Sequence, residues 1–302
     1  MRRGWRKFFL LGTVLLAGMA GFLPAKAAPI SFSDLLDRER PVATKKLAYG
    51  TDPDQFGELW MPEGPGLHRV VVLIHGGCWL EDLPGVELMA YMAEDLRRGG
   101  FAVWNLEYRR LGHQGAGYPG TFLDIANGMD YLRRIADADK LDLSHVIIIG
   151  HSAGGHLGLW AAARARIKPA SPLYGDNALP VKAVVTLAGI NDLAAYRDHG
   201  PSACGGPDTI DRLINAQGRP GQDIYADTSP AALLPLGVEQ VIVSGSLDPI
   251  VPARFGRDYG AAAKTAGDRV KIQEIETAGH FDLIDPRSDA WAQIKGVLQS
   301  LK

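Results

Sequence analysis

Val146-Ile147-Ile148-Ile149-Gly150-His151-Ser152-Ala153-Gly154-Gly155 is the stretch that decides the fold. Four β-favouring apolar residues run without a polar break, as in a strand buried on both faces. A serine between glycines follows, and Ser152 to Ile167 reads as a helix. Strand, tight turn and helix form the setting in which G-x-S-x-G presents a nucleophilic serine. The glycines remove Cβ atoms that so sharp a turn would bring into contact.

The same alternation extends in both directions. Val70 to Ile74 is a second apolar run, followed by Leu88, Met89, Met92 and Leu96 at helical spacing within 86–98. Phe101 to Leu106 reads as a strand. Phe122, Ile125, Ala126, Met129, Leu132 and Ala136 mark the next helix, with Thr121 as its expected N-cap and Asp124 three residues on. Strands follow at 181–187, 241–243 and 270–275, and helices at 253–266 and 288–300. This order predicts an α/β fold, a mostly parallel central sheet with helices on both faces. Two early strands, 42–49 and 57–61, turn at Thr51-Asp52-Pro53-Asp54 and extend the sheet as an antiparallel edge. Residues 189–237 break the pattern with five prolines and many glycines. They read as an insertion over the carboxyl ends of the strands, where open α/β sheets bind ligands.

The chain has 302 residues, 46% hydrophobic and 22% charged, which excludes a disordered tail protein and a small disulfide scaffold. A pI near 6.4 gives no basic surface for nucleic acid. Residues 1–27 read as an export signal: Arg2, Arg3, Arg6 and Lys7, an apolar run from Phe8 to Leu23, then Ala25-Lys26-Ala27 before the cut. The run is short for a bilayer span, so no stable membrane anchor is expected after cleavage. The Arg2-Arg3 pair faintly resembles a twin-arginine signal, although Arg6 sits where that pattern prefers an apolar residue. Losing the leader's five basic residues leaves 27 basic against 34 acidic residues, a net charge of −7. The mature domain is then 28–302, periplasmic or secreted. In an oxidising compartment Cys78 and Cys204 can pair or stand as two separate thiols.

A serine nucleophile needs a base, and the base an orienting acid. Asp248 follows the strand at 241–243, and His280 follows the last strand. The order Ser152, Asp248, His280 places them in corresponding loops. Asp192 is the rival acid, while Asp282 and Asp285 read as braces of the turn after His280. His75-Gly76-Gly77-Cys78-Trp79 ends the strand at 70–74, and the N–H groups of Gly77, Cys78 and Ala153 are the expected oxyanion donors. Trp79 and Tyr108, at strand ends, are candidates to line the pocket or to pack in the core.

These four motifs, at 75–79, 150–155, 245–252 and 278–281, resemble an α/β-hydrolase over about residues 55–300. Within that fold they are similar to hormone-sensitive-lipase-like and feruloyl-esterase-like esterases, and to bacterial kynurenine formamidases. The resemblance implies cofactor-independent cleavage of a small-molecule ester. An arylformamidase activity and a catalytically silent binding protein are the alternatives. Cys78 stands where lipase-type relatives usually carry a third glycine and formamidases a tyrosine.

Gly115-Ala116-Gly117-Tyr118-Pro119-Gly120 satisfies G-x-G-x-x-G but does not directly follow a strand, which counts against a dinucleotide. His151 and His156 lack a third metal ligand. Asp52 and Asp54 begin like a calcium loop without its glutamate. Arg109 and Arg110 are candidates to meet an anionic substrate, against a structural reading as surface or ion-paired arginines.

Overall fold

The computed structural model describes Met1 and residues 28–301. Apart from Met1, the expected leader lies outside the described residues. The strands are β1 (Lys45–Ala48), β2 (Phe56–Trp60), β3 (His68–Ile74), β4 (Ala102–Leu106), β5 (Leu141–His151), β6 (Ala183–Leu187), β7 (Glu239–Gly245) and β8 (Val270–Ile275). They form one sheet in the order β1-β2-β4-β3-β5-β6-β7-β8. β2 pairs antiparallel with β1 and β4, and every later pairing is parallel. The centre carries the apolar runs: Val71 to Ile74, Val146 to Ile149 and Ala183 to Leu187 are all buried.

Helices α1 (Phe32–Leu36), α2 (Ala90–Arg98), α3 (Gly120–Asp139), α4 (Ala153–Ala162), α5 (Leu193–His199), α6 (Pro207–Leu213), α7 (Ala253–Thr265) and α8 (Asp289–Ser300) complete the chain. Among the described residues no helix is long and apolar enough to cross a membrane. Thr121 does not cap α3, which begins one residue earlier behind Pro119. Its hydroxyl instead accepts from the Gly117 N–H at 2.9 Å and donates to the Arg109 carbonyl at 2.6 Å. Asp124 takes the Arg109 guanidinium in two bonds of 2.8 Å, so that arginine is structural. Helix α4 is shorter than expected and gives way to a 3-10 turn at Arg164–Arg166.

The insertion at 189–237 holds α5 and α6 and is fastened to the sheet by buried polar groups. The His156 Nε2–H of α4 donates to the Thr228 carbonyl at 2.8 Å, and the Trp160 indole to the Asp227 carbonyl at 2.8 Å. Arg219 and Ser171 both donate to the Asp227 carboxylate. These bonds satisfy loop groups that burial would otherwise leave costly.

Burial lowers His156 to about 4 from an ordinary 6.5, and its bond to Thr228 only partly offsets this. The unfolded chain therefore binds that proton at higher pH than the folded one. Stability is fully present above pH 6.5 and is lost as pH falls through 4; this residue accounts for about 3 kcal/mol of the loss. Thermal melts across that window should show a shallower acid slope for His156→Gln than for the wild type. Buried His151 is lowered in the same sense and keeps part of the slope. Identical slopes would contradict the assignment.

Candidate active site

β5 and α4 meet at Ser152, which sits at φ 54°, ψ −119°. A non-glycine residue there stores about 1–3 kcal/mol of strain. The packing around it enforces the conformation. A Cβ on Gly150 would lie 2.1 Å from the Gly154 carbonyl oxygen, and one on Gly154 would lie 2.0 Å from the Ile74 oxygen. Only glycine fits at either position.

His280 follows β8, and its Nδ1–H donates to Asp248 Oδ2 at 2.6 Å. The other oxygen of Asp248 accepts the Ile250 and Val251 N–H groups at 2.7 and 2.9 Å. The carboxylate is thus fixed by the loop after β7 and its side chain is fully buried. Asp192 faces elsewhere: it caps α5, accepting from the Ala195 N–H at 3.0 Å. Asp282 and Asp285 brace the turn, taking the Gly279 N–H at 2.9 Å and the Arg287 N–H at 3.0 Å. Ser152 and His280 line one cavity of about 270 Å³.

Peptide planarity locates the donors. In a trans peptide the C=O and the following N–H point in opposite directions. The Gly76 carbonyl turns inward to His75 Nδ1 at 2.8 Å and the Tyr108 hydroxyl at 3.4 Å, so the Gly77 N–H turns outward. The Gly77 carbonyl accepts from the Leu80 N–H at 2.8 Å, which reverses the Cys78 N–H in the same way. The Ser152 carbonyl is taken by the Gly155 and Ile190 N–H groups at 2.9 and 3.2 Å, leaving the Ala153 N–H on the other side. Among the described residues the Gly77 and Cys78 N–H groups meet no acceptor. Such free donors suit developing negative charge.

Trp79 and Tyr108 are not in the cavity wall, a correction to the pocket-lining expectation. Positive φ at Cys78 (50°) and Trp79 (59°) turns the chain back, and the indole is fully buried with its edge against His156. Tyr108 stacks on His75 at 4.4 Å and donates to the His75 carbonyl at 2.9 Å. It supports the turn that carries the donors. Beneath it, His75 Nε2 faces Glu107 at 2.8 Å. Burial pushes the Glu107 carboxyl up, but His75, Arg110 and the Tyr108 N–H outweigh it and hold it at about 2.

In the sequence His151 shows as the variable position of the serine motif and as half of a histidine pair that lacks a third metal ligand. Its ring lies 4.5 Å from that of His280, and its Nε2–H donates to the His280 carbonyl at 3.2 Å. Burial first, and His280 second, push it well below the ordinary 6.5. A neutral ring here holds the His280 backbone in place without adding a positive charge beside its imidazole. The apolar wall was also missed. Phe32, Leu83, Pro84, Leu88, Ile250 and Phe281 come from segments distant in sequence. Leu88 shows in the sequence only as part of a helical face, and no local pattern joins these residues to one another.

Cys78 and Cys204 form a disulfide that ties the donor turn to the insertion. Ala203, next to Cys204, lines the cavity.

This fold and site define an α/β-hydrolase: a mostly parallel sheet, a serine at the strand-to-helix turn, and an acid and histidine on later strand ends. Residues 58–259 match the BD-FAE family, and the chain belongs to it. Esterase LipC of Mycobacterium tuberculosis is 25% identical over 276 residues, covering 87% of this chain. The chain spans 65% of the length of that relative. Esterase B from Lactobacillus rhamnosis (HN001) has a TM-score of 0.71 at 17% identity, over 87% of each chain. Thermogutta terrifontis esterase 2, phosphonylated by sarin, has a TM-score of 0.68 at 20% identity, over 87% of this chain and 94% of its own.

Reducing the Cys78–Cys204 bridge should lower both stability and turnover. Closing a loop of 126 residues is worth about 2–5 kcal/mol. Urea unfolding and ester turnover, with and without reductant, should respond in the wild type and not in the Cys78→Ala/Cys204→Ala protein. An unchanged wild-type midpoint on full reduction would refute the staple.

Proposed function

We propose that the protein is an exported serine hydrolase that cleaves carboxylic esters of small or aryl substrates without a cofactor. The carrying observation is the His280–Asp248 bond of 2.6 Å at a cavity shared with a strained Ser152. Ser152 Oγ attacks the ester carbonyl while His280 Nε2 takes its proton. Asp248 holds the tautomer that leaves Nε2 free and stabilises the imidazolium that forms. The N–H groups of Gly77, Cys78 and Ala153 receive the oxyanion. His280 then protonates the leaving alcohol, and water, activated by the same ring, releases the acid and restores Ser152.

The names of the relatives support an ester substrate. Esterase B is inhibited by a tributyrin phosphonate, and the Thermogutta enzyme is phosphonylated by sarin. A cavity of about 270 Å³ is small against the roughly 300–1,000 Å³ of drug-sized sites. Export is supported by the leader-like sequence of residues 1–27 and by a disulfide, which persists in oxidising compartments. The proposed location is therefore periplasmic or extracellular.

A fluorophosphonate should label the wild type at Ser152 and leave Ser152→Ala unlabelled. Ester turnover in that variant should fall by about three orders of magnitude or more. Failure of the folded wild type to label would overturn the reading. Asp248→Asn should cost far more turnover than Asp192→Asn, which only weakens a helix cap; the reverse order would place the acid elsewhere.

A further inference from the structure

The segment before the first strand reaches the active site. Phe32 of α1 is half-buried, lines the cavity with Ser152 and His280, and meets Phe281 with ring centroids 5.9 Å apart. Both ends of this segment are fastened. At one end, Asp282 Oδ2 accepts from the Ile30 N–H at 3.1 Å and from the Gly279 N–H at 2.9 Å. One carboxylate oxygen therefore joins the segment to the loop that carries His280. Pro29 packs so closely that a Cβ on Gly279 would lie 2.6 Å from it. At the other end, the Arg38 guanidinium pairs with fully buried Asp285 at 3.0 Å and lies 4.1 Å from the centre of the Tyr91 ring. The Tyr91 hydroxyl donates back to the Arg38 carbonyl at 2.8 Å. Between these anchors Leu35 is fully buried and Ser31 closes a capping box with Asp34.

We propose that residues 29–38 form a fixed wall of the substrate cavity and that Phe32 sets the length of the acyl chain accepted. This rests on the esterase reading above. The acyl group stays bonded to Ser152 through the intermediate, whereas the alcohol must leave and water must enter. A wall pinned at both ends suits the group that stays. The phenyl ring fills volume that a longer chain would occupy, and each methylene it excludes forfeits about fourfold in apolar transfer.

The test uses p-nitrophenyl acyl esters from acetyl to decanoyl, and a matching series of alkyl acetates. Phe32→Ala should raise kcat/KM for the octanoyl ester relative to the butyryl ester by about tenfold or more. Phe32→Leu should give a smaller rise, and Phe32→Trp should shift preference toward acetyl. An unchanged acyl profile in all three folded variants, or a shift confined to the alkyl acetates, would overturn the proposal while leaving the esterase reading intact. Calorimetric binding of octanoate and butyrate to Ser152→Ala, with and without Phe32→Ala, reads the wall without turnover. A rise in relative octanoate affinity there supports the wall even if no ester is cleaved, in which case only the esterase reading fails.

Discussion

A Cβ on Gly154 would lie 2.0 Å from the Ile74 carbonyl oxygen and 2.4 Å from that of His75. That approach sets the first turn of α4 against the end of β3. β3 and β5 are hydrogen-bonded neighbours, with Ile74 opposite Gly150, so the turns that leave them start side by side. One turn carries the serine and the Ala153 N–H, the other the Gly77 and Cys78 N–H groups. Any side chain at Gly154 would drive the two turns apart, and the proposed donors would be separated from the serine. The apolar runs of β3 and β5 serve the same end, because they bury the strands and fix the register from which both turns emerge.

The polar half of the site depends on peptide orientation more than on side chains. Each proposed donor N–H takes its direction from the preceding carbonyl, which is held the other way: by His75 and Tyr108, by the Leu80 N–H, and by the Gly155 and Ile190 N–H groups. Tyr108 and Glu107 therefore hold the turn after β3 in place without touching the cavity. Their burial in a stacked and ion-paired layer is the cost of rigid placement, and a satisfied layer of this kind specifies one arrangement.

The sheet, its antiparallel edge and the four motif turns can be read from residue order because each rests on a local signal. Buried strands show as unbroken apolar runs, and tight turns show as glycines beside serine, histidine and aspartate. Two kinds of residue escape that reading. Trp79 and Tyr108 sit in the turns that follow β3 and β4, where the direction of a side chain depends on φ values the sequence does not display; the reversal at Cys78 sends Trp79 into the core. Thr121 has the identity of a cap but is held by Gly117 and Arg109 from outside its helix, so tertiary contacts override the local preference. Phe32, Leu88, Ala203 and Ile250 meet only because the chain returns to one place. No pattern along the sequence could have joined them.

That difference divides the molecule into two layers with separate constraints. Strand register and glycine packing fix the atoms proposed to do chemistry, and small displacements there would break several contacts at once. The apolar wall is assembled from appended pieces: the N-terminal segment, the 3-10 turn at Val86–Met89, and the insertion. Each is attached through its own anchor: Asp282 and Asp285 for the first, Asn105 and Glu107 for the second, and for the last the Cys78 disulfide and the bonds from Trp160 and Ser171 to Asp227. Cys78 belongs to both layers. Its N–H is a proposed oxyanion donor, a role that asks nothing of the side chain, so the sulfur is free to hold the insertion. A wall built this way can change in shape while the reacting atoms stay in place, which is how one fold comes to serve many substrates.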